Sequence, residues 1–206
     1  MRALVVYCHP DPQSFTAAVR ALVEEKLSAA GAETRTLDLY ARGFSPALAQ
    51  QEWQRYLEGA HEGVAEDVAA LRWCDTLIFV YPTWWYGLPA MLKGWLDRVL
   101  LPDVAFLMPD ETHRNIRPGL RHIARLGVFT TGGASRLLTF FVGAPGKRTL
   151  LRGLGQLCAP RRRTAFAMHY GMDSSTAESR MRHLTRVSRE MDRLIGPLPR
   201  TAEARA

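Results

Sequence analysis

Five short apolar runs separated by segments of helical pattern constrain the fold of this chain more than any other feature. The runs predict five strands, which cover Arg2–Tyr7, Thr34–Leu39, Thr76–Tyr81, Ile123–Thr130 and Thr164–His169. The third run is typical of a strand that is buried on both faces. Strands that alternate with helices form right-handed crossovers, and these crossovers build a parallel sheet with helices on both faces.

The helical segments fit the same α/β architecture. They are predicted at Ser14–Ala30, Val64–Trp73, Pro89–Leu101, Lys147–Leu157 and Ser175–Ile195. Gly31 is a natural residue after a helix end, and Ser175-Thr176-Ala177-Glu178 has the form of a capping box. Residues 41–62 form a long excursion with one short helix, and residues 102–121 form a long connection. Five strands favour a flavodoxin-like three-layer sandwich of strand order 2-1-3-4-5.

Length and composition indicate a soluble globular protein. The 206 residues are 47% hydrophobic and 23% charged, and no apolar run reaches the roughly 20 residues of a membrane span. We expect one domain over residues 1–206 with a frayed tail at 200–206, and a strand rather than a signal peptide at the start. Three widely spaced cysteines (Cys8, Cys74 and Cys158) predict buried free thiols in a reducing cytoplasm.

The net charge of +7 leaves two interpretations open. Arginine dominates it, with a local cluster at Arg161-Arg162-Arg163 and more along the last helix. One interpretation is a nucleic-acid or membrane surface; the other is a solvated arginine-rich surface that also serves an anionic cofactor. We favour the second, because no nucleic-acid motif accompanies the charge.

The loop after the first predicted strand has the features of a phosphate site. It reads His9-Pro10-Asp11-Pro12-Gln13-Ser14-Phe15-Thr16, so that two prolines stiffen a turn that leads into a helix. A helix start offers unpaired N–H groups and the positive end of the helix dipole to a phosphate. The hydroxyls of Ser14 and Thr16 add donors, although Ser14 could serve only as the N-cap of the helix.

Two further loops open at the same sheet edge, because the carboxyl ends of parallel strands meet there. The third strand is expected to stop at Pro82, and Thr83-Trp84-Trp85-Tyr86 then places three large aromatics in a turn. They form either a ring-binding platform, a core cluster or a dimer patch. Thr130-Thr131-Gly132-Gly133 is either a close approach to a ligand or an ordinary turn. A crevice with a phosphate end and an aromatic end describes a site for flavin mononucleotide.

The chain resembles the flavodoxin-like NAD(P)H:quinone oxidoreductase family, which includes ancillary oxidoreductase subunits of bacterial glutathione-gated potassium efflux systems. The resemblance rests on four segments that extend over about residues 2–170. They are His9-Pro10…Ser14-Phe15, Pro82-x-x-Trp85-x-x-x-Pro89-Ala90-x-Leu92-Lys93-Gly94-Trp95-x-Asp97-Arg98-Val99, Thr130-Thr131-Gly132-Gly133 and Phe166-Ala167-Met168-His169. The last of these is similar to the efflux-subunit branch.

The resemblance implies a flavin (FMN, or alternatively FAD), NADPH or NADH as reductant, and a homodimer with its active sites at the interface. It also implies two-electron reduction of quinone-type acceptors. The implied phosphate-binding residues are His9, Ser14, Phe15 and Thr16. The implied ring-facing residues are Pro82, Thr83, Trp84, Trp85 and Tyr86, and those at the polar edge of the ring are Thr130, Thr131, Gly132 and Gly133.

The chain departs from the resemblance where some relatives carry a catalytic side chain. Eukaryotic members have a tyrosine and a histidine after the double glycine, but residues 134–146 contain neither. Arg136 is the one charged residue before the Pro145-Gly146 pair, and Ala144 stands where the efflux-subunit branch has a histidine. We therefore assign no catalytic side chain. The alternatives are an electron-carrier flavodoxin and a regulatory subunit that docks on a membrane transporter.

Overall fold

The computed structural model describes residues 1–58 and 62–196 of the chain. Five parallel strands form one sheet in the order β2-β1-β3-β6-β7, which is the predicted order 2-1-3-4-5. The strands are β1 (Arg2–Tyr7), β2 (Glu33–Asp38), β3 (Thr76–Thr83), β6 (Arg125–Gly132) and β7 (Arg163–His169). Two-residue strands β4 (Phe106–Leu107) and β5 (Arg117–Pro118) pair separately, inside the connection predicted at 102–121.

Helices connect the strands and cover the sheet. They are α1 (Phe15–Ala29), α2 (Gln50–Gln54), α3 (Ala65–Trp73), α4 (Ala90–Val99), α5 (Arg136–Val142), α6 (Pro145–Arg148) and α7 (Ala177–Ile195). Among the described residues, none of these helices is long and apolar enough to cross a membrane. The predicted tail at 200–206 lies outside the described residues.

The side chains of successive strand residues pack alternately into two separate cores, one on each face of the sheet. Leu4, Val6, Leu77 and Phe79 lie in one core, which α3 and α4 cover. Their neighbours in sequence, among them Val5 and Ile78, lie in the other core with residues of α1 and α7. This alternation follows from the strand geometry, in which successive side chains point to opposite faces. It confirms the predicted three-layer α/β sandwich.

The third strand is longer than its sequence predicts. β3 continues through Pro82 and Thr83, which pair with Thr131 and Gly132 of β6. The expectation that the strand stops at Pro82 is therefore wrong. Proline lacks the N–H group that a central strand needs, but pairing with β1 ends at Val80, so Pro82 lies where one side of β3 has become an edge. β6 likewise begins two residues later than predicted and runs two residues further, to Gly132.

Several predicted helix boundaries are also corrected. The helix predicted at Lys147–Leu157 is instead the short helix α6, a π-helical turn over Thr149–Gly153 and a 3₁₀ turn over Leu154–Leu157. The capping box of α7 uses Thr176 and Ser179, not Ser175 and Glu178, because the helix begins at Ala177. The excursion at 41–62 does contain one short helix, α2. Gly31 follows α1 with φ 66°, as predicted.

α5 has no counterpart in the sequence prediction. Ser135 caps its start by accepting a hydrogen bond from the N–H of Leu138 at 3.2 Å, and Gly143 ends it with φ 89°. The helix lacks a polar stripe, since most of its residues are large and apolar. Its exposed apolar side chains are Leu137, Leu138, Phe140, Phe141 and Val142. A helix with its apolar residues turned outward gives none of the usual periodicity of a surface helix.

Trp95 is fully buried. The helix α4 therefore does not offer Trp95 as exposed apolar surface for a partner. The Trp95 ring packs edge-on against Phe79 at 6.0 Å, and its indole N–H donates to Asp67 Oδ1 at 2.7 Å. Asp67 is itself buried and accepts two hydrogen bonds from the Arg42 guanidinium. Trp95 thus anchors α4 to α3 and to the excursion after β2.

Candidate functional site

A cavity of about 780 Å³ lies at the carboxyl edge of the sheet, between the ends of β1, β3 and β6. This edge is where ligands bind in open α/β sheets. All but one of the predicted site residues line the cavity, the exception being Thr130. The lining comprises His9, Ser14, Phe15, Thr16, Pro82, Thr83, Trp84, Trp85, Tyr86, Thr131, Gly132, Gly133, Ala134, Leu138, Thr139, Met168, Met172 and Asp173. Whether these residues hold a flavin stays a prediction.

The loop after β1 engages one nitrogen of the His9 ring. Nδ1 lies 3.0 Å from the backbone nitrogen of Asp11 and 3.1 Å from the carbonyl oxygen of the same residue, so that it either accepts from the first or donates to the second, according to the tautomer. The ring also lies 6.3 Å from that of Trp84, and this contact joins the first loop to the aromatic loop.

The start of α1 combines a capped helix end with unpaired donors. Ser14 Oγ accepts from the N–H of Ala17 at 3.2 Å, so Ser14 is the N-cap as well as a lining residue. In the described part of the chain, the N–H groups of Phe15 and Thr16 have no acceptor. The Thr16 hydroxyl is already bonded to that of Thr131 at 3.2 Å, and this bond ties the helix start to the end of β6. The helix start keeps the geometry of an anion site.

The aromatic loop after β3 is exposed and strained. Trp85 is 95% exposed, and Trp84 is exposed as well, so the core-cluster alternative is wrong for both. Trp85 and Tyr86 have φ values of 48° and 62°, in the left-handed region that side chains rarely adopt. The N–H groups of these two residues have no acceptor among the described residues. Strain of this kind collects at functional sites, where it holds groups ready for a ligand.

The glycine pair at the end of β6, Gly132 and Gly133, is required by its protein neighbours. A Cβ atom on Gly132 would lie 2.7 Å from Met168 Cε, and one on Gly133 would lie 2.5 Å from Asp173 Oδ2. Larger residues would push both neighbours out of the cavity wall. Thr130 is buried beneath the cavity, where its hydroxyl bonds to that of Thr83 at 2.8 Å. Thr130 is therefore not among the lining residues, and it supports Thr83, which does line the cavity; whether it contacts a ligand stays a prediction.

Several lining residues escape sequence reasoning because they come from the segment after the glycine turn, from the end of β7 and from the loop after β7. They are Ala134, Leu138, Thr139, Met168, Met172 and Asp173. The order of the strands gives one usable signal: β7 is the neighbour of β6, so the loop after β7 opens at the same edge. Asp173 is the one carboxylate in the wall, and its oxygens suit the hydroxyl or N–H groups of a ligand.

A cluster of three packed rings lies at the end of the cavity that the start of α1 lines. Phe15 packs against His169 and His183 at 5.5 and 5.8 Å, and the two histidine rings are 5.4 Å apart. Burial lowers the pKa of His183 to about 4, with smaller contributions from His169 and Arg186. Burial also lowers the pKa of His169. Both histidines are therefore neutral at physiological pH, and they act there as packing groups.

No nucleophile or metal cluster accompanies the cavity among the described residues. Burial raises the pKa of the Cys8 and Cys74 thiols to about 12 and that of Cys158 to about 11, so none is a ready thiolate. The expectation of buried free cysteines is confirmed. Arg136 does not line the cavity, whereas Leu138 does. No group of metal-binding residues is found in ranges 1–58 and 62–196.

These features coincide with a known family. The model of a protein family with a flavodoxin-like fold matches residues 1–187 of this chain. The chain belongs to this family. The predicted resemblance to its NAD(P)H oxidoreductases is confirmed by relatives at about 30% identity. An uncharacterized NAD(P)H oxidoreductase of Haemophilus influenzae is 30% identical over 162 residues, which are 77% of this chain and 78% of the relative.

Two further relatives carry quinone in their names. Ribosyldihydronicotinamide dehydrogenase [quinone] of Pongo abelii is 31% identical over 156 residues, and the match spans 67% of this chain but only 66% of that relative's length. The solved structure of an NAD(P)H:quinone oxidoreductase from Methanothermobacter marburgensis has a TM-score of 0.79 at 26% identity. That similarity covers 97% of this chain and 99% of the other.

Proposed function

We propose that this protein is a flavin-dependent NAD(P)H oxidoreductase that reduces quinones or similar small acceptors by two-electron hydride transfer. One observation carries the proposal: the 780 Å³ cavity has a helix start at one end and exposed aromatic rings at the other, in a chain of the flavodoxin-like family. An elongated ligand with a phosphate and a flat ring system fits that arrangement. We propose FMN as the ligand, with FAD as the alternative.

The residues present fit the phosphate of such a cofactor. The free N–H groups of Phe15 and Thr16 would hold it, with the His9 ring beside them, because all three residues line one end of the cavity. The dipole of α1 adds favourable charge at that end. The hydroxyl groups of the linking chain would find an acceptor in the carboxylate of Asp173.

The ring end offers stacking surface and backbone donors. The flavin supplies hydride chemistry when it is bound. Trp84, Trp85 and Tyr86 would flank the ring, and the unpaired N–H groups of Trp85 and Tyr86 face no competing protein acceptor. Backbone N–H groups around Thr131–Gly133 would stabilise negative charge at the polar edge of the ring. Reductant and acceptor would then use the same open space in turn, which gives ping-pong kinetics.

Activity without a side-chain relay follows from the lining. Leu138 lies in the cavity wall near the place where relatives carry a polar group, and Ala144 replaces a histidine. Hydride transfer requires stacked geometry and a stabilised anion, and backbone donors supply the second. Loss of one donor of this kind costs ~10²–10³ in rate, so we expect a working but modest reductase.

The test begins with the absorbance spectrum of the purified protein and mass analysis of any released flavin. The flavin-loaded protein is then mixed anaerobically with NADPH or NADH in a stopped-flow instrument, and bleaching of the flavin is followed. We expect reduction by at least one nucleotide and reoxidation by a small quinone. A flavin that dithionite reduces, but that neither nucleotide reduces within minutes, would refute the reductase assignment.

We further propose a homodimer whose contact includes the outer face of α5 and the aromatic loop. Leu137 and Phe141 are four residues apart, so they share one helix face, and both are exposed. Leu137 precedes Leu138 in the chain, and Leu138 lines the cavity together with Trp85. A second copy placed symmetrically over these side chains would cover them and shield the cavity from water.

Leu137→Glu tests the dimer against Leu57→Glu, since both leucines are strongly exposed and Leu57 lies far along the chain in the excursion after β2. We expect light scattering to report a dimer for the native chain and for Leu57→Glu, and a shift toward monomer for Leu137→Glu. A native chain that is monomeric at micromolar concentration would contradict the proposal.

The regulatory-subunit alternative stays a prediction. It depends on Phe166-Ala167-Met168-His169, but Ala167, Met168 and His169 are buried in β7. Buried side chains do not contact a transporter directly. The motif therefore gives the alternative no docking surface, and we rank the reductase first.

A further inference from the structure

A second cavity, which we call the basic groove, lies directly beyond α5. It measures about 230 Å³, and its lining comprises Phe140, Gly143, Ala144, Lys147, Arg148, Leu151 and Arg152. Three of these seven residues are cations, and they fall within six positions of the chain. The rest of the lining is apolar or glycine, with the exposed ring of Phe140 at one side.

The three cations have no anionic partner in the described ranges 1–58 and 62–196. A further arginine beside the groove is occupied, since Arg162 donates to the carbonyl of Leu151 at 3.2 Å. Lys147 is positioned by the ring of Phe166, with Nζ 4.4 Å from the centroid. A cluster of like charges without a counter-ion attracts a ligand of opposite charge.

The backbone around the basic groove is unusual at two places. Ala144 has φ 47° and follows Gly143 at φ 89°, so two consecutive residues are left-handed and one of them carries a side chain. Thr149–Gly153 then forms a π-helical turn, which contains the lining residues Leu151 and Arg152. Strained residues and π-helical turns both occur preferentially at functional sites. Arg148 lies close over Gly143, where a Cβ atom would stand 3.2 Å from its Nη1.

The basic groove is adjacent to the large cavity. A small space of about 10 Å³ lies between them, and it shares Thr139 and Tyr86 with the large cavity. The same space shares Ala144 and Lys147 with the basic groove. The basic groove is therefore next to the large cavity, and an extended ligand with one end in the large cavity would have its other end near the groove.

We propose that the basic groove binds the 2′-phosphoadenosine end of NADPH, with the phosphate on Lys147, Arg148 and Arg152 and the adenine against Phe140. This inference rests on the proposed reductase function and adds to it a preference for NADPH over NADH. The two nucleotides differ only in that phosphate, so an anion site near the reaction space discriminates between them. Guanidinium groups are well matched to phosphate oxygens, which they bind in pairs.

Binding is tested without any hydride transfer. The flavin-loaded protein is titrated calorimetrically with adenosine 2′,5′-bisphosphate and, in parallel, with adenosine 5′-monophosphate. We expect at least about tenfold tighter binding of the bisphosphate, since one charge-assisted contact is worth about that factor. Arg148→Ala and Arg152→Ala remove the preference, and Arg152→Lys keeps part of it. Arg161→Ala is the matched control, because Arg161 is exposed and lies outside the basic groove.

Steady-state kinetics provides the second readout. The ratio of kcat/KM for NADPH to kcat/KM for NADH falls by about tenfold in Arg148→Ala and Arg152→Ala, and it stays at the native value in Arg161→Ala. Equal binding of the two adenosine phosphates by the native protein would overturn the inference. So would a nucleotide preference that the groove variants leave unchanged.

The two proposals fail in different ways. Flavin reduction by NADH and NADPH at equal efficiency, with no preference for the bisphosphate, refutes the basic groove as a phosphate site and leaves the reductase standing. Preferential binding of the bisphosphate, lost in the groove variants, without flavin reduction by either nucleotide, refutes the reductase and leaves the anion site standing.

Discussion

Two tryptophans ten residues apart show opposite uses of the same side chain. Trp95 is fully buried in α4, where Phe79 contacts its ring and Asp67 accepts its N–H. Trp85 is 95% exposed in a turn with φ 48°. The first contributes packing and a buried hydrogen bond, whereas the second exposes a large ring at a backbone cost. A protein keeps the second arrangement where a ligand or a partner covers the ring.

The comparison shows that, along this short stretch of chain, the residues that stabilise the fold are different from those that are exposed for binding. α4 begins at Ala90, and the strained turn lies just before it. The helix is held by buried contacts with Asp67 and by Arg98, which donates to the carbonyl of Ser45 at 2.6 Å. Those contacts fix the base of the loop, so the exposed rings are presented on a rigid support. Rigid support of this kind reduces the entropy lost on binding.

The largest expected effect is that of Trp95→Ala on the free energy of unfolding. Removal of a fully buried ring leaves a cavity, and it also removes one of the two donors to Asp67 Oδ1, which then keeps only Arg42. We expect destabilisation of about 3–5 kcal/mol, measured by urea unfolding. Trp95→Phe keeps most of the ring and loses the hydrogen bond, which costs about 1 kcal/mol. An Ala variant within 1 kcal/mol of the native protein would break the comparison.

A second prediction extends the comparison to the end of the cavity at the start of α1, where Phe15 lines the cavity and His183 is buried behind it. His183 has a pKa of about 4 in the fold, against 6.5 when it is unperturbed. The unfolded chain therefore takes up a proton first as the pH falls. Stability decreases between about pH 6.5 and pH 4 by roughly 3 kcal/mol from this residue.

Urea unfolding at a series of pH values checks this prediction, with His183→Phe as the variant and His113→Phe as the control. His113 is an exposed histidine in the long connection after α4. We expect a smaller loss of stability at acid pH in His183→Phe, and a native slope in the control. His169 and Arg186 face His183 and remain in both variants. An unchanged slope in His183→Phe would show that the buried ring carries no proton linkage.

The smallest expected effect on stability is that of Trp85→Ala. The side chain is exposed, so the free energy of unfolding changes by less than about 0.5 kcal/mol. Flavin binding weakens by about 0.5–1.5 kcal/mol, which is the usual contribution of ring stacking. Fluorescence titration with FMN and with FAD measures this change. Native flavin affinity together with lost thermal stability would reverse the roles that we assign to the two tryptophans.

The sequence by itself determined the features that depend on neighbouring residues. The five strands, the cap at Ser14 and the left-handed Gly31 all follow from local apolar patterns and from backbone preferences. The strand order followed as well, because alternating strands and helices allow few topologies. With the order known, the three loops at the carboxyl edge were predictable as a group, and the structure brings them around one cavity.

Only the tertiary structure decided what depends on contacts between distant segments. Trp85 and Trp95 are the same residue type in one motif, and packing against Asp67, 28 positions away from Trp95, decides which of them is buried. Thr130 lies under the cavity because its hydroxyl meets that of Thr83, 47 positions away. Asp173, from the loop after β7, lies beside Gly133 in the cavity wall. Local patterns do not encode such contacts, since each one forms only when the complete sheet places the two segments side by side.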